Sequence, residues 1–218
     1  MSALLTHKIR DVVLPGDCVK IMRRMGDASV DFILTDPPYL CRYKSRMGQT
    51  IANDNRDDWL EPTSAEMYRL LKPDSFCVSF YGWNDTDRFI VAWRKAGFRL
   101  AGHLVFTKPY TCSARFLQSR HEQAYLLSKG NPALPEIPPP DVMDWEYTGN
   151  RLHPTQKPIK ILRPLIEAFC PQDGIVLDPF CGSGSTLVAA RLAGRSSVGI
   201  ELEPKHCRTA DLRLHSAA

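Results

Sequence analysis

The chain has 218 residues, 44% of them hydrophobic and 24% charged, which gives enough length and apolar content for one substantial core. Its longest apolar runs, such as Val30–Leu34 and Gly174–Leu177, fall far short of a bilayer span, and the N-terminus carries no apolar leader stretch, so no membrane association is expected and a cytoplasmic location is. A net charge of +4 permits a polyanionic partner without identifying one, and seven scattered cysteines with no C-x-x-C pair argue for reduced thiols and against a zinc or other metal site.

In chain order, Val30–Thr35 is a nearly continuous apolar run ending in Asp36-Pro37-Pro38, the pattern of a buried parallel strand that delivers a loop at its carboxyl end. A helical stretch stopping near Lys72-Pro73 precedes a similar strand, Phe76–Tyr81. Asn84–Lys95 has helical spacing, with Phe89, Ile90 and Trp93 on one face and Asn84 or Asp85 as the cap. Next come a strand around Leu100–Phe106, a basic and aromatic loop from Thr107 to Arg120, and a strand around Gln123–Ser128. Five prolines between Pro132 and Pro140 bar a helix interior or central strand, so Gly130–Gly149 is expected to be an inserted loop. From Ile159 helical spacing returns, followed by strand Ile175–Leu177, a glycine loop, helix Thr186–Leu192, strand Ser197–Ile200 and a last helix from Pro204. Such alternation predicts a mostly parallel sheet with helices on both faces, in a single domain over residues 1–218.

Two of the strand ends carry chemistry. Asp36-Pro37-Pro38-Tyr39 holds an acceptor carboxylate, two fixed backbone angles without N–H donors and an aromatic ring where open α/β sheets place ligands, an arrangement suited to a flat ring bearing an amino group. The second runs Asp178-Pro179-Phe180-Cys181-Gly182-Ser183-Gly184-Ser185-Thr186, a strand passing through a glycine loop into a helix. No lysine follows Gly184 and the third glycine of a dinucleotide fingerprint is missing, so a phosphate-free nucleoside fits better than ATP or NAD. About twenty residues on, Glu201 stands where a ribose hydroxyl pair would be gripped, with Leu202 beside it.

Asp36–Tyr39 resembles motif IV of the amino-group DNA methyltransferases, Asp178–Gly184 resembles their motif I, and His153-Pro154-Thr155-Gln156-Lys157-Pro158 resembles their motif X. The order of these motifs matches the β group, and the likeness extends from Gly16-Asp17 to the helix after Glu201. It implies a seven-stranded, circularly permuted Rossmann-like fold with a small target-recognition insertion at about 107–151. The same resemblance implies S-adenosylmethionine as cofactor and double-stranded DNA as partner, with a flipped base, adenine N6 ahead of cytosine N4, as target. On these terms Asp36, Pro37, Pro38 and Tyr39 are the catalytic group, the last by stacking on the base. The cofactor would meet Asp17, Cys18, Asp36, His153, Thr155, Gln156, Lys157, the Asp178–Thr186 loop, Glu201 and Leu202. Within that set Asp17 would face the adenine and Lys157 or Thr155 the methionine carboxylate, unless Lys157 pairs with a carboxylate of the protein. Arg42, Lys44, Arg46, Arg115 and Arg120 would contact DNA, and so short a recognition region suggests a short target site or a homodimer that presents two loops.

Overall fold

The computed structural model describes residues 9–44, 48, 50–114, 116–147, 149, 152 and 156–217. Its first half contains β1 (Val12–Pro15), α1 (Cys18–Met22), β2 (Val30–Thr35), α2 (Leu60–Leu70), β3 (Leu71–Phe80), a 3-10 turn at Trp83–Asp85, α3 (Thr86–Ala96) and β4 (Arg99–Thr107). The second half adds a small hairpin of β5 (Ser113–Ala114) and β6 (Gln118–Ser119), then β7 (His121–Lys129), β8 (Val142–Asp144), α4 (Ile159–Phe169), β9 (Ile175–Asp178), α5 (Ser185–Leu192), β10 (Ser196–Glu201) and α6 (Pro204–Ser216).

Eight strands form the main sheet, in the order β1-β10-β9-β2-β3-β7-β4-β8. β1, β10, β9, β2 and β3 are mutually parallel, whereas β7 runs antiparallel to both β3 and β4. Alternation along the strands sorts side chains to two faces. Ile33 and Cys77 join a core beneath α1, α2 and α3 that includes Met22, Met67, Leu70, Phe89 and Trp93. Phe32, Leu34, Val78 and Phe80 face the other way, against Leu162, Leu165 and Ile166 of α4 and Ala189 and Ala190 of α5. Chain order runs outward from the β9–β2 junction, through β3 on one side and β10 on the other, so the carboxyl ends of these two neighbours form the topological switch point where α/β sheets bind ligands.

The sequence expectation misses on four points of architecture. The sheet has eight strands rather than seven, because three residues of the expected proline-rich loop, Val142–Asp144, add an edge strand to β4, with Trp145 buried behind them. An edge strand pairs on one side only, which a short segment flanked by proline can satisfy. Inside the 107–120 loop, β5 and β6 pair as a hairpin. α2 ends at Leu70, and Lys72 and Pro73 belong to the exposed start of β3, where the pairing with β2 shifts register, while Tyr81 lies beyond the strand's end. Neither Asn84 nor Asp85 caps α3 through its side chain; the Thr86 hydroxyl donates instead to the Trp83 carbonyl.

Candidate active site

The loops leaving β2 and β9 are joined at their roots: the Thr35 hydroxyl, on the last residue of β2, donates to Asp178 Oδ1, on the last residue of β9, at 2.9 Å. Asp178 also accepts from the Phe180 amide at 3.1 Å, which turns the chain into the glycine loop. With only 2% of its surface exposed, Asp178 is pushed by burial up to about 7, against the pull of its hydrogen bonds from Thr186, Phe180 and Thr35. The glycine loop is fixed from three sides. Glu201 Oε2, at the end of β10, accepts from the Gly182 amide at 2.9 Å; the Cys181 amide donates to the Ile200 carbonyl; and Arg213 of α6 donates to the Ser183 carbonyl at 2.6 Å. Gly184 sits at φ +82°, and a Cβ there would lie 3.0 Å from Ala210 of α6, so both conformation and close packing require glycine.

Between the two loops lies a cavity of about 520 Å³. Asp36–Tyr39 and Gln156–Lys157 line one side, Asp178–Ser183 with Ser185, Thr186 and Glu201–Glu203 the other, and Gly16–Val19 closes an end. The Asp17 side chain accepts from the Lys20 amide as the cap of α1. Glu201 Oε1 accepts from the Glu203 amide at 2.7 Å, which leaves lone pairs of its carboxylate facing the cavity for a hydroxyl pair. Of the described lining residues, Asp17, Asp36, Asp54, Glu201 and Glu203 outweigh Lys157 and Lys205 even with Asp178, pushed up to about 7, set aside. Such a wall disfavours a polyphosphate and suits a nucleoside that carries positive charge.

At the catalytic end, Lys157 Nζ meets Asp36 Oδ2 at 2.5 Å and the Tyr39 hydroxyl meets Asp36 Oδ1 at 2.7 Å. The same hydroxyl lies 3.1 Å from Glu122 Oε2, and Glu122 Oε1 is held by Lys108 at 2.6 Å. Both lysine side chains are under a tenth exposed, and both lie over aromatic rings, Lys108 over Trp145 and Lys157 over Phe80. Burial raises Asp36 from its ordinary value, by more than Lys157 lowers it. For Glu122 burial acts the same way, but Lys157 and Lys108 together outweigh it and the group is lowered.

Most of the residues expected from sequence thus meet in one place: Asp17, Cys18, Asp36, Pro37, Pro38, Tyr39, Gln156, Lys157, Asp178–Ser183, Ser185, Thr186, Glu201 and Leu202 all line the cavity. Gly184 does not; it packs behind the loop against α6. The Tyr39 hydroxyl lies between the carboxylates of Asp36 and Glu122, and Lys157 pairs with a carboxylate of the protein. Arg42, Lys44 and Arg120 are exposed and lie outside the cavity wall, whereas Arg46, Arg115, His153 and Thr155 fall outside the described residues. Sequence reading missed the wall segment from Thr50 to Asp54, Trp59, whose ring meets Phe180 edge-on at 5.2 Å, and the pair Lys108–Glu122. A signal for that pair existed. Lys108 continues the core-facing positions Leu104 and Phe106, and Glu122 shares the face of Ala124 and Leu126, so each is a charge in an apolar register.

The order of strands, the switch-point cavity and the paired loops define an α/β domain with its ligand site at the carboxyl ends of β2 and β9. The profile of the N6_N4_Mtase family, described as DNA methylase, matches residues 30–212, and the chain belongs to this family. "Putative methylase YubD" of Escherichia coli (strain K12) is 56% identical over 201 residues, covering 92% of this chain and 88% of its own length. Among solved structures, the M1.HpyAVI–SAM complex superposes with a TM-score of 0.74 at 23% identity, covering 93% of this chain and 98% of its own. The PvuII DNA methyltransferase, cytosine-N4-specific, gives 0.76 at 19%, covering 92% and 85%. The single-domain α/β fold of DNA methyltransferases is therefore that of this chain.

Proposed function

We propose that this DNA methyltransferase takes a methyl group from S-adenosylmethionine to the N6 amine of an adenine flipped out of a short site in duplex DNA. The observation that carries the reading is the convergence of Asp36 and the Gly182 loop on one cavity, rooted in the Thr35–Asp178 bond. Its volume and acidic wall suit a sulfonium nucleoside, and the family membership and the SAM-bound fold relative support the same cofactor. Asp36 in the first position of the catalytic loop favours adenine, because in the resembling family an aspartate there goes mostly with adenine and a serine with cytosine. Cytosine N4 is the second reading, since an N4-cytosine enzyme shares the fold.

S-adenosylmethionine supplies a methyl carbon on positively charged sulfur, an electrophile from which transfer to nitrogen is downhill. Asp36 and the Pro37 carbonyl accept the two amine hydrogens, hold the nitrogen pyramidal and in line, and Asp36 receives the proton that the nitrogen sheds. Its raised proton affinity fits that task. Glu201 grips the ribose hydroxyls and Asp17 lies toward the adenine of the cofactor. Tyr39 flanks the flipped base.

We assign the β-group order, a circular permutation of the fold, to the placement of the catalytic loop before the glycine loop. The segment at about 107–151 reads the target. Its hairpin carries Phe116 and Leu117 at the tip, 102% and 81% exposed, and starts beside Lys108, whose ammonium is 3.3 Å from Cys112 Sγ and 2.6 Å from Glu122 at the pocket. Apolar side chains so placed fit between bases as a wedge, with Arg120 on the backbone. A homodimer would present two such hairpins to one duplex.

Purified protein incubated with methyl-labelled S-adenosylmethionine and genomic DNA, followed by digestion to nucleosides, tests the reading. N6-methyladenine is expected; N4-methylcytosine alone would move the target to cytosine, and well-folded protein that neither binds the cofactor nor transfers label would end the proposal. Asp36→Ala should cut transfer by about 100- to 1,000-fold while calorimetry still registers cofactor binding.

A further inference from the structure

We propose that Glu122 is a positioning residue, the acceptor to which Tyr39 and Lys157 are handed when the amine of the target base takes Asp36, an inference that rests on the methyl-transfer reading above. Both oxygens of Asp36 have a donor. One of its oxygens holds the Tyr39 hydroxyl and the other the Lys157 ammonium. Each oxygen keeps a further lone pair, but a carboxylate already neutralised by an ammonium is a poor acceptor for an incoming amine. Asp36 becomes the stronger acceptor when these two donors turn to another partner.

They have the same place to go. Glu122 Oε2 lies 3.1 Å from the Tyr39 hydroxyl and 4.0 Å from Lys157 Nζ. A phenol has one hydrogen, so Tyr39 serves one carboxylate at a time and stands between two. Lys157, with its side chain 6% exposed, cannot escape to water, and an unpaired buried ammonium is strongly disfavoured. Its short path runs over the rings of Phe80, Tyr39 and Trp145, at 4.9, 5.4 and 6.0 Å from the centroids. Glu122 itself stays fixed, because Lys108 holds its other oxygen and Lys108 is in turn seated on Trp145. Asp36 and Glu122 balance Lys108 and Lys157, so partners exchange within a neutral set.

Among the described residues, the groups that face Asp36 are Lys157, Tyr39, Glu122 and, from the root of the glycine loop, Asp178; those that face Glu122 are Lys108, Lys157, Tyr39 and Tyr110, with Cys112 on Lys108. Removing Glu122 leaves Lys157 wholly on Asp36 and takes away a like charge, so Asp36 titrates at lower pH.

The test uses Glu122→Gln, the charge-balanced double variant Lys108→Met/Glu122→Gln in case the single variant does not fold, and Glu122→Asp, with calorimetry against S-adenosylmethionine, kcat against pH on plasmid DNA, and carboxyl-carbon NMR titration of Asp36 in cofactor-free protein. Expected are near-wild-type cofactor affinity, a kcat lower by about ten- to a hundredfold with little change in KM, and an acid limb and Asp36 titration moved to lower pH, with Glu122→Asp regaining part of the rate. A wild-type kcat and an unmoved acid limb would overturn the proposal. So would a lower kcat with an unmoved Asp36 titration, which marks a merely structural role. Wild-type protein that binds no cofactor and methylates no DNA would strike the functional reading instead, and the Asp36 titration would still decide whether Glu122 governs that carboxylate.

Discussion

Among single residues, Asp178 has the clearest measurable consequence. Its carboxyl is buried at the root of both loops and holds its proton up to about pH 7, whereas in the unfolded chain it ionises near 3.8. Between those values the folded state binds one proton more than the unfolded state, so this group makes stability fall as pH rises from about 4 to about 7 and contributes no further slope above that. Over roughly three pH units the effect amounts to at most about 4 kcal/mol. Asp178→Asn keeps an oxygen to accept from Thr35 and Phe180 but removes the titration. Urea unfolding of the two proteins between pH 5 and pH 8 should show the variant relatively more stable at the alkaline end, with the difference fading toward pH 5. Parallel curves would mean that Asp178 is ionised throughout. The residue scale was also where sequence reading was sharpest and where it stopped. Asp36, Gly182 and Glu201 announce themselves because they sit in short motifs at strand ends. Lys108 and Glu122 do not, because they lie fourteen residues apart, one just past the end of β4 and the other on β7, and the antiparallel pairing that joins these strands, Thr107 opposite His121, is a tertiary fact.

Elements were legible where their hydrophobic period is long and unambiguous. α4 and the buried strands β2 and β9 fall within a residue or two of the sequence expectation, since each buries an apolar face against the other. The elements that escaped are short and exposed on one side. β8 has three residues and Pro140 just before it, and β5 and β6 have two each, so neither shows a period. That same hairpin carries an element-scale prediction. Phe116 and Leu117 bury little surface at its tip, so Phe116→Ala/Leu117→Ala should leave unfolding within about 0.5 kcal/mol of the parent. On duplex DNA the pair should weaken binding by about tenfold without altering the salt dependence, because a wedge between bases releases no counterions. Arg120→Ala should do the reverse, lowering the slope of log K against log salt by about one. Fluorescence anisotropy across a salt series separates the two effects, and an unchanged affinity for the double variant would remove the hairpin from the DNA face.

For the whole molecule the decisive feature is that β9 and β2 are neighbours although 139 residues of chain lie between Thr35 and Ile175. If this adjacency alone makes the site, it should not matter which half of the chain comes first. The ends of the chain make that testable. α6 follows β10, which is parallel to β1, and so returns along the sheet to finish where β1 begins; Leu214 and Val13 pack in one cluster. Joining Ala218 to Met1 and opening the exposed segment between Leu134 and Pro135 would give a protein in which the glycine loop precedes the catalytic loop. The cut falls between β7 and β8, where Leu134 is 90% exposed and the backbone belongs to no strand. Every strand pair and the Thr35–Asp178 bond survive this rearrangement, so the permuted protein should unfold within about 5 °C of the parent and bind S-adenosylmethionine with an affinity within about threefold. A permuted chain that folds but loses the cofactor would show that chain order, beyond sheet adjacency, shapes the cavity. A chain that does not fold would place a folding requirement in the order β2 before β9 that the finished sheet does not display.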